Sequence, residues 1–161
     1  MATVNQNLSE FEFSGDASLF KIGIVISEWN PNITQNLLKG AKQKLLDNKV
    51  AEQNIFIKNV PGTFELALGC QWLFENEKPD GVIAIGSVIQ GETRHFDFVC
   101  EGATKGIMDV SLKFSKPVIF CVLTDNTLQQ AIDRSGGKHG NKGVESAVAC
   151  LKMISQFKKL P

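Results

Sequence analysis

What most constrains this chain is an alternation. Four short apolar runs, rich in β-branched residues, take turns with segments whose apolar residues recur at helical spacing. The runs are Phe20 to Ser27 (FKIGIVIS), Ile55 to Val60, Gly81 to Gly86 and Pro117 to Leu123 (PVIFCVL). Nearly unbroken apolar character is what a strand covered on both faces requires. Strand–helix alternation of this kind is satisfied most economically by a parallel sheet with helices on both faces. The expected helices run from the turn Glu28–Asn32 to about Asn48, from Phe64 to Asn76, from His95 to about Phe114, and from Thr127 to Arg134. A last one carries Val144, Ala147, Val148, Leu151 and Ile154 on one face. Ser135 to Asn141 reads as a glycine-rich loop. The Phe64–Asn76 helix is apolar on most sides, which is the pattern of a helix burying more than one face, and a subunit interface is expected there.

A length of 161 residues suits one domain over the whole chain, 1–161, with residues 1–18 as a polar N-terminal arm. Within that arm Phe11-Glu12-Phe13 alternates like a short strand, and its two phenylalanines suggest docking on a neighbouring surface. Basic and acidic residues balance at 17 each with no basic stripe, which argues against nucleic acid as a partner. The Lys158-Lys159 pair closes a terminal amphipathic helix and complements its dipole. No secretory signal pattern opens the chain, and no apolar run approaches the roughly 18–20 residues of a membrane span, so no membrane role and a cytoplasmic location are expected. Cys70, Cys100, Cys121 and Cys150 stand apart in apolar runs without ligand-spaced histidines, the pattern of buried reduced thiols rather than a metal site.

Polar and unusual residues follow the strands. Trp29 and Asn30 follow the first, Thr63 and Glu65 the second, Gly86 to His95 the third, and Thr124 with Asp125 the fourth. In a parallel sheet these positions share one edge, where ligands bind. The stretch Gly86-Ser87-Val88-Ile89-Gln90-Gly91-Glu92-Thr93-Arg94-His95 reads as a strand emptying into a glycine-bearing turn and then the first turn of a helix. It is neither a Walker loop nor a dinucleotide fingerprint. Its helix-start N–H groups and the Thr93 hydroxyl suit a single phosphate. His95, in the first helical turn, leans back toward that crevice, and histidine is the side chain that exchanges protons near neutral pH. An exposed Trp29 would offer a platform to a flat ligand. Arg134 and Lys142 bracket the Gly136–Gly140 segment, a fork and a point charge for an anion or a solvated pair near helix ends, and His139 is expected to be solvated. No nucleophile system of the Ser-His-Asp or Cys-His kind is present.

Five segments then carry a resemblance: Ser27-Glu28-Trp29-Asn30, Val60-Pro61-Gly62-Thr63-Phe64-Glu65, Gly86 to His95, Pro117-Val118-Ile119-Phe120 and Gly140-Asn141-Lys142-Gly143. In this order and spacing, from about Phe11 to Phe157, the chain resembles the lumazine synthases of riboflavin biosynthesis. The resemblance implies a three-layer α/β/α fold, flavodoxin-like, with a four-stranded parallel sheet and an N-terminal arm or strand. It implies condensation of 5-amino-6-(D-ribitylamino)uracil with 3,4-dihydroxy-2-butanone 4-phosphate, without metal or organic cofactor. It assigns ring, ribityl and uracil contacts to Trp29, Asn30, Thr63, Phe64, Glu65, Ser87, Val88 and Ile89, the butanone phosphate to Glu92, Thr93 and Arg134, and proton transfer to His95. Phe120 and Lys142 match residues that close the site from an adjacent subunit, and the same sharing is expected of Arg134. Trp29 stands where most of the family has phenylalanine. Glu92 stands where small residues are common, and is compatible with a phosphate only if its carboxylate turns away.

The family forms pentamers, and some members build a sixty-subunit icosahedral shell. The compact Gly-rich segment around Lys138 resembles shell-forming members, and riboflavin synthase is a candidate partner. The rival reading is a flavodoxin-like flavin- or phosphate-binding protein without this catalysis. It needs a Ser/Thr/Gly-rich loop after the first strand, where this chain has Glu28-Trp29-Asn30-Pro31. A phospho-acceptor receiver domain needs aspartates at strand ends, where Ser27, Glu28 and Ser87 stand.

Overall fold

The computed structural model describes residues 12–159. The elements follow the expected alternation: β1 (Ile22–Ser27), α1 (Pro31–Asp47), β2 (Ile55–Val60), α2 (Leu66–Asn76), β3 (Gly81–Ile89), α3 (His95–Phe114), β4 (Val118–Asp125), α4 (Leu128–Arg134) and α5 (Lys142–Phe157). The four long strands make one parallel sheet in the order β2-β1-β3-β4. Successive residues of a strand point to opposite faces, and the sheet accordingly faces two cores. Ile22, Ile24, Ile26, Ile83, Ile85, Cys121 and Leu123 meet α1 and α5 on one side. Val25, Val60, Val82, Ala84 and Val122 meet α2 and α3 on the other. This is the three-layer α/β/α, flavodoxin-like arrangement. Among the described residues no helix is long and apolar enough to cross a membrane.

The sheet reverses its winding between β1 and β3, and the two ladders of β3 end at different heights. Pairing with β1 stops at Ile26–Ile85, whereas pairing with β4 runs on to Ile89–Asp125. Past Gly86 the β1 side of β3 therefore borders a crevice, the place where ligands enter open α/β sheets. This corrects the reading of Gly86 to Ile89 as a turn. Ser87, Val88 and Ile89 are still strand, because β4 supports them after β1 has turned away, and the turn itself is confined to Gln90–Arg94. Likewise Thr124 and Asp125 are the last residues of β4 rather than a loop after it.

Other differences have equally local causes. β2 is a sheet edge, so Ile57, Lys58 and Asn59 are exposed and the strand is not buried on both faces. Phe20 precedes β1 in a turn closed by its N–H donating to Ala17 O at 3.0 Å. Phe11 lies outside the described residues. Glu12 and Phe13 form no strand, and Phe13 packs on the chain's own core, its ring 6.4 Å from that of Phe20. The segment expected as a glycine-rich loop is a hydrogen-bonded hairpin, β5 (Ser135–Gly137) against β6 (Gly140–Asn141), with Gly136 and Gly140 at φ 121° and 80°. Those angles favour glycine. Cys70, Cys121 and Cys150 are buried as expected, but Cys100 is only half-buried because its face of α3 is not covered by the sheet.

Helix α5 is seated tightly against α1. A Cβ on Gly143 would lie 2.0 Å from Leu37 O, so only glycine allows the first turn of α5 this close. The contact fixes Lys142 and Glu145, which flank it in that turn.

Candidate active site

A cleft of about 560 Å³ opens at the crevice between the carboxyl ends of β1 and β3. Its lining includes Trp29, Thr63, Phe64, Glu65, Ser87, Val88 and His95, residues that sequence reasoning had drawn from three separate loops. Each is delivered by local backbone. Trp29 and Asn30 follow β1; Asn30 adopts a left-handed conformation, φ 56°, which asparagine tolerates better than most residues. Its backbone carbonyl caps α1 by accepting from Ile33 N at 2.9 Å, and its side-chain amide donates to Ser87 O at 3.0 Å. Asn30 thus sits behind the cleft wall and ties the β1 loop to β3. Trp29 is left 70% exposed, an aromatic face presented to the cleft.

Thr63, Phe64 and Glu65 form one tight helical turn ahead of α2. Thr63 sits against Gly86, where a Cβ would lie 2.8 Å from its Oγ1; the absence of a side chain there lets the turn close onto β3. Phe64 rests on α3 over Gly102, where a Cβ would come 2.5 Å from its ring. Glu65 is exposed at the rim. The hydroxyls of Thr63 and Ser87 and one oxygen of Asp125 are buried without a hydrogen-bond partner among the described residues. Unsatisfied buried groups are uncommon, and each carries a cost that native proteins accept mainly at functional sites. Burial pushes the Asp125 carboxyl above its ordinary range, with Arg134 pulling it back.

His95 opens α3 and is exposed at the cleft, its N–H donating to Thr93 Oγ1 at 3.4 Å. Glu92 and Thr93 are exposed on the turn beside it, and Arg94, the N-cap, makes no side-chain cap. Of the N–H groups that open α3, that of Asp97 donates to Arg94 O at 3.1 Å and that of Phe98 to the same oxygen at 3.4 Å. Phe98 and Val99, one turn further along α3, also line the cleft. The sequence reading gave neither a role in the site, and their i+3 and i+4 relation to His95 was the available signal.

The remaining assigned residues are not in this cleft. Ile89 packs toward the α1/α5 core. Phe120 and Lys142 line a different hollow of about 360 Å³ on the other side of β4, and Phe120 also borders a larger groove of about 740 Å³ along α3. Arg134 and Lys142 are not a solvated pair. Both are four-fifths buried and converge on Glu145: Arg134 Nη2 to Oε1 at 3.2 Å and Lys142 Nζ to Oε2 at 3.0 Å. Arg134 Nη1 also donates to His139 O at 2.9 Å, and His139 is half-buried in the hairpin. Glu145 was not anticipated; it is the acidic residue in the first turn of α5, three residues from Lys142. One protomer therefore presents an aromatic, hydroxyl-bearing cleft with a histidine in one place and a cationic pair with an aromatic ring in another.

A sequence model of the 6,7-dimethyl-8-ribityllumazine synthase family matches residues 19–158. The chain belongs to this family. Proteins called 6,7-dimethyl-8-ribityllumazine synthase that resemble it include one from Flavobacterium johnsoniae, 56% identical over 155 residues that make up 95% of this chain and 82% of the relative. One from Cytophaga hutchinsonii is 52% identical over 97% of this chain and 99% of its own. One from Parabacteroides distasonis is 50% identical over 96% and 98%. The family match spans every element from β1 to α5, so the cleft and the cationic pair both lie inside it.

Proposed function

We propose that this family member condenses 5-amino-6-(D-ribitylamino)uracil with 3,4-dihydroxy-2-butanone 4-phosphate, and that the β1/β3 cleft holds the two substrates. The observation that carries the assignment of the cleft is the gathering of Trp29, Thr63, Phe64, Glu65, Ser87, Val88 and His95 around one opening. Trp29 stacks on the pyrimidine ring and Glu65 accepts from ribityl hydroxyls. The backbone of Ser87 and Val88, unpaired with β1 at this height, reads the uracil edge. The turn at Thr93, with the first N–H groups of α3, receives the phosphate; Glu92 contributes its backbone there while its carboxylate stays in solvent.

The chemistry needs no nucleophilic side chain. The ring amine attacks the ketone, and loss of water gives an imine. Phosphate leaves with loss of a proton to give an enol, and ring closure with a second loss of water completes the lumazine. His95, beside the turn, takes and returns the protons, a contribution of about 10²- to 10⁴-fold for a positioned acid–base group. Alignment of the two substrates against fixed aromatic and backbone groups supplies a large further share.

The site is completed across a subunit boundary in this reading. Arg134, Phe120 and Lys142 lie away from the cleft of their own chain and close that of a neighbour, with Glu145 holding the two cations in place. The exposed apolar residues Leu68 and Trp72 on α2, with Met108 and Leu112 on α3, give such a boundary its apolar surface. We propose a pentamer, assembled further into a sixty-subunit shell, in the cytoplasm, where the four unpaired thiols fit a reducing environment; riboflavin synthase is the proposed protein partner. Native mass separates the pentamer from the shell by a factor of twelve.

Steady-state kinetics of two variants tests the roles. His95→Ala lowers kcat by about 10²-fold or more while riboflavin, a related ring ligand, still binds. Arg134→Ala raises KM for the butanone phosphate. A His95→Ala enzyme with wild-type kcat, or an Arg134→Ala enzyme with unchanged KM, removes that residue from its assigned role.

A further inference from the structure

The cleft contains an aromatic side chain that the assignments above leave unused. Phe98 lines it next to His95 and Val99, and at 61% exposure its ring is open to the cleft. One helical turn earlier the Arg94 guanidinium lies over the same ring, with Cζ 5.6 Å from the centroid. Arg94 Nε is in turn 3.4 Å from Asp97 Oδ2. The three residues stand at i, i+3 and i+4 on the first turn of α3, the spacing at which helical side chains meet.

We propose that Phe98 is a third aromatic wall of the cleft, contacting the flat heteroaromatic ring of the ribityl-bearing substrate, and that Arg94 is the positioning residue that holds its ring. The inference rests on the reading of the cleft given above and extends it to two residues. The three exposed aromatics of the cleft each have a mechanical support. Phe64 is seated on Gly102, and the backbone at Trp29 is fixed by its N–H donating to Ser27 Oγ at 3.2 Å. For Phe98 the contact that serves this purpose is the planar Arg94 fork, which can stack on an aromatic face where a lysine cannot do so as well. The Arg94 side chain is 82% exposed, so its ion pair with Asp97 adds little stability of its own. Its effect is to narrow the orientations open to Phe98 before the ligand arrives, which reduces the ordering that binding must impose.

The test is a double-mutant cycle on Arg94 and Phe98, read by riboflavin binding through flavin fluorescence polarisation and by KM for each substrate. Phe98→Ala weakens riboflavin binding and raises KM for the ribitylaminouracil about fivefold or more, with KM for the butanone phosphate unchanged. Arg94→Ala does the same by about two- to fivefold, the size of an exposed cation–π contact, and Arg94→Lys recovers part of the loss. In the Phe98→Ala background Arg94→Ala has no further effect. Phe98→Leu, which keeps an apolar side chain, shows the same direction if the alanine variant folds poorly. Wild-type affinity in both Phe98 variants overturns the proposal. An Arg94→Ala loss that persists undiminished without Phe98, or a change in melting temperature with no change in affinity, overturns the positioning role. Riboflavin binding does not depend on turnover. A wild-type protein that makes no lumazine while the cycle holds would refute the activity and leave this inference standing, and an active enzyme indifferent to Phe98 would do the reverse.

Discussion

Gly143→Ala tests how the fold holds the cationic half of the site. The added Cβ would stand 2.0 Å from Leu37 O, 2.8 Å from Leu37 C and 2.9 Å from Asn141 Oδ1. The first two are backbone atoms inside α1 and cannot rotate away. Relief requires α5 to back off from α1 by at least roughly 1 Å, the distance from 2.0 Å to the closest approach a Cβ tolerates. The shift would loosen Leu37, Ala41 and Leu45 from Ala147, Leu151 and Ile154, all in one core. Gaps of that size forfeit about a quarter to a half of the affected contacts. Overpacking changes cost about 1–3 kcal/mol, and a backbone clash belongs at the upper end. At about 2–4 °C per kcal/mol for a chain of this length, about 3 kcal/mol corresponds to a fall of roughly 6–12 °C in Tm. Calorimetry at matched protein concentration measures it, with Gly91→Ala as the control, because a Cβ there meets nothing within 4 Å. Since Lys142 and Glu145 flank Gly143, the variant should also lose activity below the temperature at which it unfolds. A Gly143→Ala protein that melts with the Gly91→Ala control would refute the reasoning.

Two further perturbations follow from burial. The Asp125 carboxyl is raised by burial, so the folded protein holds that proton more tightly than the unfolded chain does. Stability is therefore lost as pH rises from the ordinary aspartate range through the raised folded value. Asp125→Asn should be more stable than wild type at neutral pH, with the difference closing near about pH 3; denaturant midpoints that favour wild type at neutral pH would contradict this. Burial also pushes Cys70 and Cys150 up to about 12 and Cys121 to about 11, whereas Cys100 is only half-buried. A thiol reagent at mildly alkaline pH should label Cys100 before the other three, and early labelling of any buried cysteine would count against the described core.

The parts of the fold legible in the sequence were those set by local pattern. The β-branched runs placed all four long strands, and the residues at their carboxyl ends did converge on one edge. Lengths and edges were less legible, because they depend on what lies alongside. Ser87 to Ile89 remain strand only because β4 outlasts β1 as a neighbour, and β2 is exposed because among the described residues no strand pairs beyond it. The hairpin at Ser135–Asn141 hid behind its glycines, which permit a tight turn as readily as a loose one. In the site, Trp29, Thr63, Glu65 and His95 could be found from strand-end position. Glu145 could not, since it acts through two cations, one of them eleven residues away on α4. Phe98 carried no signal beyond its place in the His95–Phe114 helix, and Cys100, expected to be buried, lies on a face of that helix whose covering the sequence did not specify.

The central claim is that this chain catalyses the condensation itself rather than only holding a flavin-like ring. Its most direct test mixes the purified protein with 5-amino-6-(D-ribitylamino)uracil and 3,4-dihydroxy-2-butanone 4-phosphate and follows lumazine fluorescence together with inorganic phosphate. The account predicts both products in equal amounts, at a rate proportional to enzyme and far above the uncatalysed mixture. A rate no greater than that mixture, from protein that still binds riboflavin, would contradict it.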